Sequence, residues 1–424
     1  MVYSAEIKRA VGLVREALGN SGVTLQSGEF REHGNHTPHA DSPLVLVACS
    51  GGRDSMALAY ISRIVCSSIG VRCGAVVVDH HLQEGSAQAA CTAARQCTEL
   101  GLDPVIIADA QVQATGLGEE SDARDARFDE LIAAAHKHSS AVVLLAHTST
   151  DQAETVAIGL LRAPTVSALA GMPSSIEKGG VTFLRPFLKG LARQDTTRIC
   201  ENAGISWWDD PTNAEALSPD ELSSGQFPLR SRIRQDLMPY LAGFARKDIS
   251  GLWSHYTDVN RQDRDYIDSH AAAAYRQSVR EYPAVWDGHR LVRAGGAGGA
   301  GGADTQDGCS PQDLAALGGY LRQYGLESRA DISVYELLGY SSLHPAIRSR
   351  ILIKILESWG IHPVEKLVSE YDDFLAYKRV SGPFPRISAE NGHPYGADVF
   401  AAKTRDKRFW IYIIGKNRRT LDKT

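Results

Sequence analysis

The segment Ser50-Gly51-Gly52-Arg53-Asp54-Ser55 sets two adjacent glycines, two hydroxyls and a carboxylate between an apolar run and a helix-patterned stretch. The run Leu44–Cys49 reads as a buried strand, and the apolar spacing from Asp54 to Ile64 reads as a helix. A strand, a two-glycine turn and a helix N-terminus together form a seat for an anion. The glycines let the backbone approach closely, N–H groups point outward, and the positive end of the helix dipole faces the ligand. Ser50 and Ser55 can each add a hydroxyl donor. The Gly-x-x-x-x-Gly-Lys-Ser/Thr pattern of common ATPases is ruled out, because the segment holds no lysine. A glycine turn with a serine cap is the plain alternative.

Other chemistry-bearing residues recur at regular spacings. Asp151 and Glu154 stand three apart at the start of an expected helix, so they share a face. A helix N-terminus favours carboxylates anyway, which makes capping the alternative for Asp151. His147 closes an apolar strand and can hold a nucleotide or assist proton transfer, with a structural histidine as the alternative. Arg124 and Arg127 share a helix face, and Asp122 and Asp125 beside them offer a salt-bridged surface instead. Arg230, Arg232 and Arg234 alternate along the chain and can meet phosphate, or simply solvate a helix start. Asp79 ends a second strand.

Strand-like runs at Leu44–Cys49, Ala75–Val78, Pro104–Ala108 and Ala141–Ala146 alternate with helical patterns at Ser86–Leu100 and Ser121–Lys137. The interval of about thirty residues is that of βαβ units, and continuous apolar strands imply a parallel sheet covered on both faces. The expected fold is therefore α/β, a doubly wound parallel sheet. The phosphate seat, Asp79 and His147 then lie at carboxyl ends of strands, where open α/β sheets bind ligands. A fifth strand is expected at Val181–Leu184 and a helix at Ala192–Ala203. Three regions follow: 1–40, an N-terminal helix (Ile7 to Leu18) and linker; 41–228, the nucleotide-binding domain; and 229–424, mainly helical and closing in a small β element. The boundary is placed in the polar stretch 214–228. Helices are expected at Ile233–Phe244, Asp258–Val279 and Asp313–Tyr324, a glycine-rich linker at 294–303, and a hairpin from Val399–Ala402 and Phe409–Ile414.

The 424 residues, 43% hydrophobic and 22% charged, describe an ordinary globular chain rather than a disordered one. No apolar run reaches membrane-spanning length, and the start of the chain lacks a signal-peptide core. Seven cysteines with no Cys-x-x-Cys pair fit reduced thiols, so a cytoplasmic location is expected. A net charge of −5 gives no global push toward nucleic acid, and an RNA partner has to be held by local patches.

Ser-Gly-Gly-x-Asp-Ser at a strand–helix junction resembles the pyrophosphate loop of the N-type ATP pyrophosphatases, the PP-loop superfamily with its adenine nucleotide alpha-hydrolase-like sheet. Over residues 43–245 the chain resembles tRNA(Ile)-lysidine synthase. The matching blocks are Ser50–Ser55, Val77–Leu82, Ala123–Phe128, Leu145–Thr155, Leu169–Met172, Arg185–Leu188, Trp208–Asn213 and Arg230–Arg234 with Met238-Pro239. Their order and spacing carry the resemblance, since each alone is weak.

The resemblance implies an ATP-dependent C–N ligase. ATP adenylates O2 of the wobble cytidine of tRNA(Ile) with a CAU anticodon, and pyrophosphate leaves. The ε-amine of free L-lysine then attacks C2 and expels AMP. It further implies that Ser50, Gly51, Gly52, Arg53, Asp54, Ser55, Asp79 and His147 bind ATP, with Asp54 holding Mg²⁺. Asp151 and Glu154 would recognise lysine, and Arg127 would reach the phosphates or the base. Arg230, Arg232 and Arg234 would face tRNA, and Arg193, like Asp210 and Asn213, would either face tRNA or hold the structure.

Departures from the family pattern are Thr150 where an aspartate is usual, Ser231 for an asparagine, and Arg162-Ala163-Pro164-Thr165 in place of a glycine turn. Two other readings stay open: another adenylating tRNA-modifying enzyme of the superfamily, and a nucleotide-binding regulator without catalysis.

Overall fold

A computed structural model describes residues 3–31, 37–79, 86–110, 119–162, 166–208, 229–286, 291–293, 331–358, 365–377, 397–403 and 409–415. The expected boundary loop 214–228, the glycine-rich 294–303 and the helix Asp313–Tyr324 lie outside these residues, as do the blocks 80–82, 163–165 and 209–213. The chain divides into two compact units, Met1–Gln262 and Asp263–Thr424.

In the first unit, strands β1 (Leu44–Ala48), β2 (Arg72–Asp79), β3 (Val105–Asp109), β4 (Ser140–Leu144), β5 (Ser175–Lys178) and β6 (Val181–Leu184) form one sheet in the order β3-β2-β1-β4-β6-β5. All neighbours are parallel except β5, which returns antiparallel on β6. Side chains alternate across a strand, and here both faces are covered. Val45 and Val47 of β1 join Ala75, Val77, Val142 and Leu144 in one core. Leu44 and Leu46 join Val76, Val143 and Phe183 in the other. The first core is roofed by α1 (Ala5–Asn20), α2 (Arg53–Ile69), α3 (Ser86–Glu99) and α7 (Arg193–Ala203), the second by α4 (Glu119–Lys137). This is the doubly wound arrangement read from the apolar runs.

Two further helices, α5 (Ser149–Arg162) and the short α6 (Val166–Leu169), follow β4. After residue 228 one helical run continues through α8 (Leu229–Arg232), a π-helical turn (Ile233–Leu237) and α9 (Met238–Ala245). Ile233, Met238, Leu237 and Leu241 of this run pack on Ala153, Ala157 and Ile158 of α5, and on Ile249 and Trp253 of the next helix, α10 (Ile249–Ser278). The run is thereby clamped against the start of α5.

The second unit holds β7 (Val279–Trp286), β8 (Leu291–Arg293), β9 (Asp331–Leu337), β10 (Ala397–Lys403) and β11 (Phe409–Gly415), antiparallel in the order β10-β11-β9-β7-β8. The expected hairpin is β10–β11, in register Val399↔Ile413, and it joins a wider sheet that periodicity did not announce. Helices α11 (Pro345–Glu357) and α12 (Glu365–Tyr377) share a core with Tyr335 and Leu337 of β9. Within it, Arg348 makes a bidentate pair with Asp372 at 2.8 and 2.9 Å, and the Tyr340 hydroxyl donates to the same carboxylate at 2.7 Å.

Removing one partner of a buried ion pair strands the other charge, at a cost of about 3–5 kcal/mol. Arg348→Met is therefore expected to lower the urea midpoint of unfolding by that amount in free energy, whereas an exposed substitution such as Arg276→Met leaves it unchanged.

Candidate active site

The sequence folds the segment 50–55 as a turn because of what its glycines permit. Gly51 has φ +77°, in the left-handed region, and a Cβ there would lie 2.9 Å from the Ala93 Cβ. Gly52 is the N-cap of α2, with no side-chain hydrogen bond closing the cap, so no capping side chain takes the first N–H groups of that helix. The Ser55 hydroxyl is buried and used internally: it donates to the Gly52 carbonyl at 2.8 Å and accepts the Ser50 N–H at 3.2 Å. It shapes the turn, whereas Ser50 is exposed at its mouth. The Trp208 N–H donates to the Gly51 carbonyl at 3.0 Å, tying the end of the described 166–208 stretch to the turn. Arg53 begins α2, half-buried, and its carbonyl accepts from the Cys200 thiol. Asp79 is buried at the end of β2, where its carbonyl accepts the Ala110 N–H at 2.8 Å.

Asp54 turns toward α7. Thr196 donates its hydroxyl to one carboxylate oxygen, and the Arg193 Nε lies 3.7 Å from the other. Burial, then the charge of Asp151, push the Asp54 carboxyl upward against Arg193, Thr196 and Arg53. Two carboxylates thus bear on one another across the mouths of β1 and β4.

Asp151 takes the capping role and a second one as well. One oxygen accepts both the backbone N–H and the hydroxyl of Thr148 at 2.8 Å, and the other lies 3.5 Å from the Arg234 Nη2. Burial would raise its pKa, but the Thr148 N–H, His147, the Thr148 hydroxyl and Arg234 together hold it below the usual carboxylate value. Glu154, one turn along α5, has no exposed surface. Arg234 grips it through Nε and through Nη2 at 2.8 Å, and the Arg230 Nε lies 3.3 Å away. Arg230 also donates to the Thr155 hydroxyl at 3.0 Å. So the structure draws Arg230, Arg234 and Arg193 inward onto carboxylates and leaves Arg232 exposed.

A second group of cations faces the first. Arg127 and Arg124 come from α4, His147 from the loop three residues past β4, and Arg185 from the end of β6. Arg185 is buried and donates to the Pro173 carbonyl at 2.7 Å. Its Nε and the Nδ1 of His147 are buried without a hydrogen-bond partner among the described residues. Burial, then Arg124 and Arg127, bring Arg185 down to about 10. Arg127 is lowered by burial and by Arg124 and Arg230. For His147 burial dominates. Asp151 opposes it, Arg185, Arg127 and Arg124 reinforce it, and the pKa falls to about 3. A buried Arg185 Nε–H beside the crowded guanidiniums of Arg124 and Arg127 defines a place where an anion lowers the energy.

Sequence reasoning had no signal for Thr196, which lies 142 residues from Asp54, and it weighed Arg185 only as part of a motif. Thr148 was visible in principle, three residues before an acid at a helix start.

A PP-loop domain family matches residues 28–241. A protein named tRNA(Ile)-lysidine synthase from Bifidobacterium longum subsp. infantis is 52% identical over 289 residues, covering 67% of this chain and 73% of that protein. A protein of the same name from Bifidobacterium animalis subsp. lactis is 47% identical over 66% of this chain and 73% of its own length. One from Streptomyces coelicolor is 41% identical over 55% and 62%.

Left-handed backbone costs a residue with a Cβ about 1–2 kcal/mol, before the contact with Ala93 is counted. Gly51→Ala should lower stability by at least that much and weaken nucleotide binding about tenfold or more, read by calorimetric titration. His147 carries a separate prediction. With its native pKa near 3, the unfolded chain takes up a proton below the ordinary value of 6.5 that the native chain refuses. Its contribution to stability is thus whole above pH 6.5 and falls as pH drops toward 3. His147→Gln should remove one proton's worth of slope from that acid limb in urea-unfolding midpoints.

Proposed function

The chain belongs to the tRNA(Ile)-lysidine synthase family, ATP-dependent ligases with a PP-loop domain, and from that premise we propose how its residues divide the work. In the first half-reaction, O2 of the wobble cytidine attacks the α-phosphorus of ATP and pyrophosphate leaves. In the second, the ε-amine of lysine attacks C2 to form a C–N bond, the C2–O2 bond breaks so that AMP leaves with that oxygen and the electron pair, and the amine's proton passes to a carboxylate.

The N–H groups at the start of α2, after the Gly51-Gly52 turn, would receive the pyrophosphate. The Asp54 carboxylate, raised by burial and by Asp151, fits a hard divalent cation, and Asp54 would hold Mg²⁺ there. When bound, that ion spreads charge from the phosphates. Arg127, Arg124 and Arg185, with neutral His147, would receive the negative charge that the adenylated base brings to the β4–β6 side.

One observation carries the lysine assignment. The Asp151–Glu154 face already binds a side-chain cation, the Arg234 guanidinium, through both carboxylates. A buried face that selects a guanidinium suits the ammonium end of lysine, which would exchange for it. The same carboxylates are placed to take the proton that makes the amine a nucleophile. No helix among the described residues is long and apolar enough to cross a membrane. That fits an enzyme working beside tRNA in the cytoplasm.

The test is ATP-dependent transfer of labelled lysine to unmodified tRNA(Ile) bearing a CAU anticodon. Asp54→Ala is expected to abolish pyrophosphate release. Glu154→Gln is expected to keep it and to reduce lysine transfer about a hundredfold or more, as loss of a proton acceptor does. Equal loss of both half-reactions in Glu154→Gln would overturn the division of roles. Absence of both signals in folded wild-type protein would favour a nucleotide-binding regulator.

A further inference from the structure

The helical run that carries Arg230 and Arg234 has an outer face as well as a catalytic one. Its inner side chains Ile233, Leu237, Met238 and Leu241 are met by α5 and α10. On the opposite side, Arg232, Asp236, Tyr240 and Phe244 follow one another four residues apart and are exposed. Tyr240 is 66% exposed and Phe244 80%. Their rings stack, with centroids 6.3 Å apart and planes 19° from parallel. The eight residues of α9 include no charge, so the helix is apolar on both sides while only one side is covered.

Both ends of this aromatic face carry cations. Arg232 lies at its start, and Arg246 and Lys247, both exposed, lie at its end. Arg246 is the C-cap of α9 in the left-handed region, at φ +51°, where glycine is the strain-free choice. Of the two acids nearby, Asp248 is engaged in accepting the Gly251 N–H at 3.0 Å, which leaves Asp236. Exposed rings flanked by guanidinium and ammonium groups are the chemistry of an unpaired nucleic-acid strand: bases stack on the rings and phosphates meet the cations. The position agrees. At 1.5 Å per residue, Tyr240 and Phe244 lie roughly 9 and 15 Å along the helix from Arg234, a reach of a few nucleotides.

We propose that Tyr240 and Phe244 form a stacking platform for unpaired bases adjacent to the target cytidine in the RNA loop, with Arg232, Arg246 and Lys247 meeting the loop's phosphates. The proposal rests on the RNA-modifying reading above and adds the surface that would hold the loop while one of its bases is delivered. A second copy of the chain is the competing occupant, and cations at both ends of the face disfavour its pairing with itself.

The probe is a hairpin RNA with the tRNA(Ile) anticodon arm, carrying 2-aminopurine beside the target cytidine, titrated with the full chain. Wild-type protein should quench the fluorophore by stacking. The double substitution Tyr240→Ala/Phe244→Ala should abolish the quench and weaken RNA binding about tenfold or more, with ATP affinity unchanged. The ring-preserving pair Tyr240→Phe/Phe244→Tyr should retain both. Undiminished quenching and affinity in the alanine variant would overturn the platform, as would binding by wild type without any quench. A shift in sedimentation from dimer to monomer with RNA affinity intact would overturn it in favour of a second copy. Wild-type protein that binds ATP but no RNA would overturn the reading on which it rests.

Discussion

Burying a carboxylate is costly unless a cation is held to it with good geometry. Glu154 is such a group, wholly out of water on α5, and its partners Arg230 and Arg234 come from a helix that begins 75 residues later. That demand fixes where the chain must return. The run 229–245 lies against the start of α5 because its apolar face packs there and because two guanidiniums have to reach one carboxylate. The π turn at 233–237 carries Arg234 on the same run as Arg230. From this contact follow the floor of the site, the position of Asp151 beside Arg234, and the outward presentation of Tyr240 and Phe244 on the far side.

Charge in the site is sorted. Asp54, Asp151 and Glu154 are matched by Arg193, Arg234 and Arg230, so the carboxylate side is balanced by the chain itself. Arg124, Arg127, Arg185 and His147 form the other side, where the Arg185 Nε and the His147 Nδ1, like the Arg193 and Arg230 Nε atoms on the first, are buried without a hydrogen-bond partner among the described residues. The arrangement suits a reaction that brings in negative charge with the nucleotide and positive charge with the amine. An anion would neutralise the arginine side, and on the carboxylate side an ammonium would exchange for a guanidinium already held there.

The parallel sheet was legible because β1, β2 and β4 are covered on both faces, and burial on both sides forces continuous apolar runs. Edge strand β5, Ser175–Lys178, has no such run and exists through pairing with β6 alone. In the second unit β7 and β9 depend on partners distant in sequence, as in the register Tyr282↔Val334, and periodicity within one strand carries no trace of that. The site divides in the same way. The glycine turn and the Asp151–Glu154 face are local patterns, readable at three- to six-residue range. The direction in which Arg193, Arg230 and Arg234 point is not local, since each is decided by a carboxylate far along the chain, so alternate arginines read equally well as a phosphate-facing patch.

Thr150 shows how a departure from the family pattern can be absorbed. Its hydroxyl accepts the Arg193 N–H at 3.2 Å, which ties the start of α7 to the start of α5. Helix α7 then supplies two of the groups on Asp54, the Arg193 guanidinium and the Thr196 hydroxyl. An aspartate at 150 could accept the same N–H, but it would add a negative charge next to Asp54 and Asp151, whose mutual repulsion already raises the Asp54 carboxyl. A hydroxyl keeps the acceptor and omits the charge. The carboxylate side then stays balanced three against three, with Asp54 still oriented by α7. The threonine thus ties α7 to α5 through an acceptor that adds no charge beside Asp54 and Asp151.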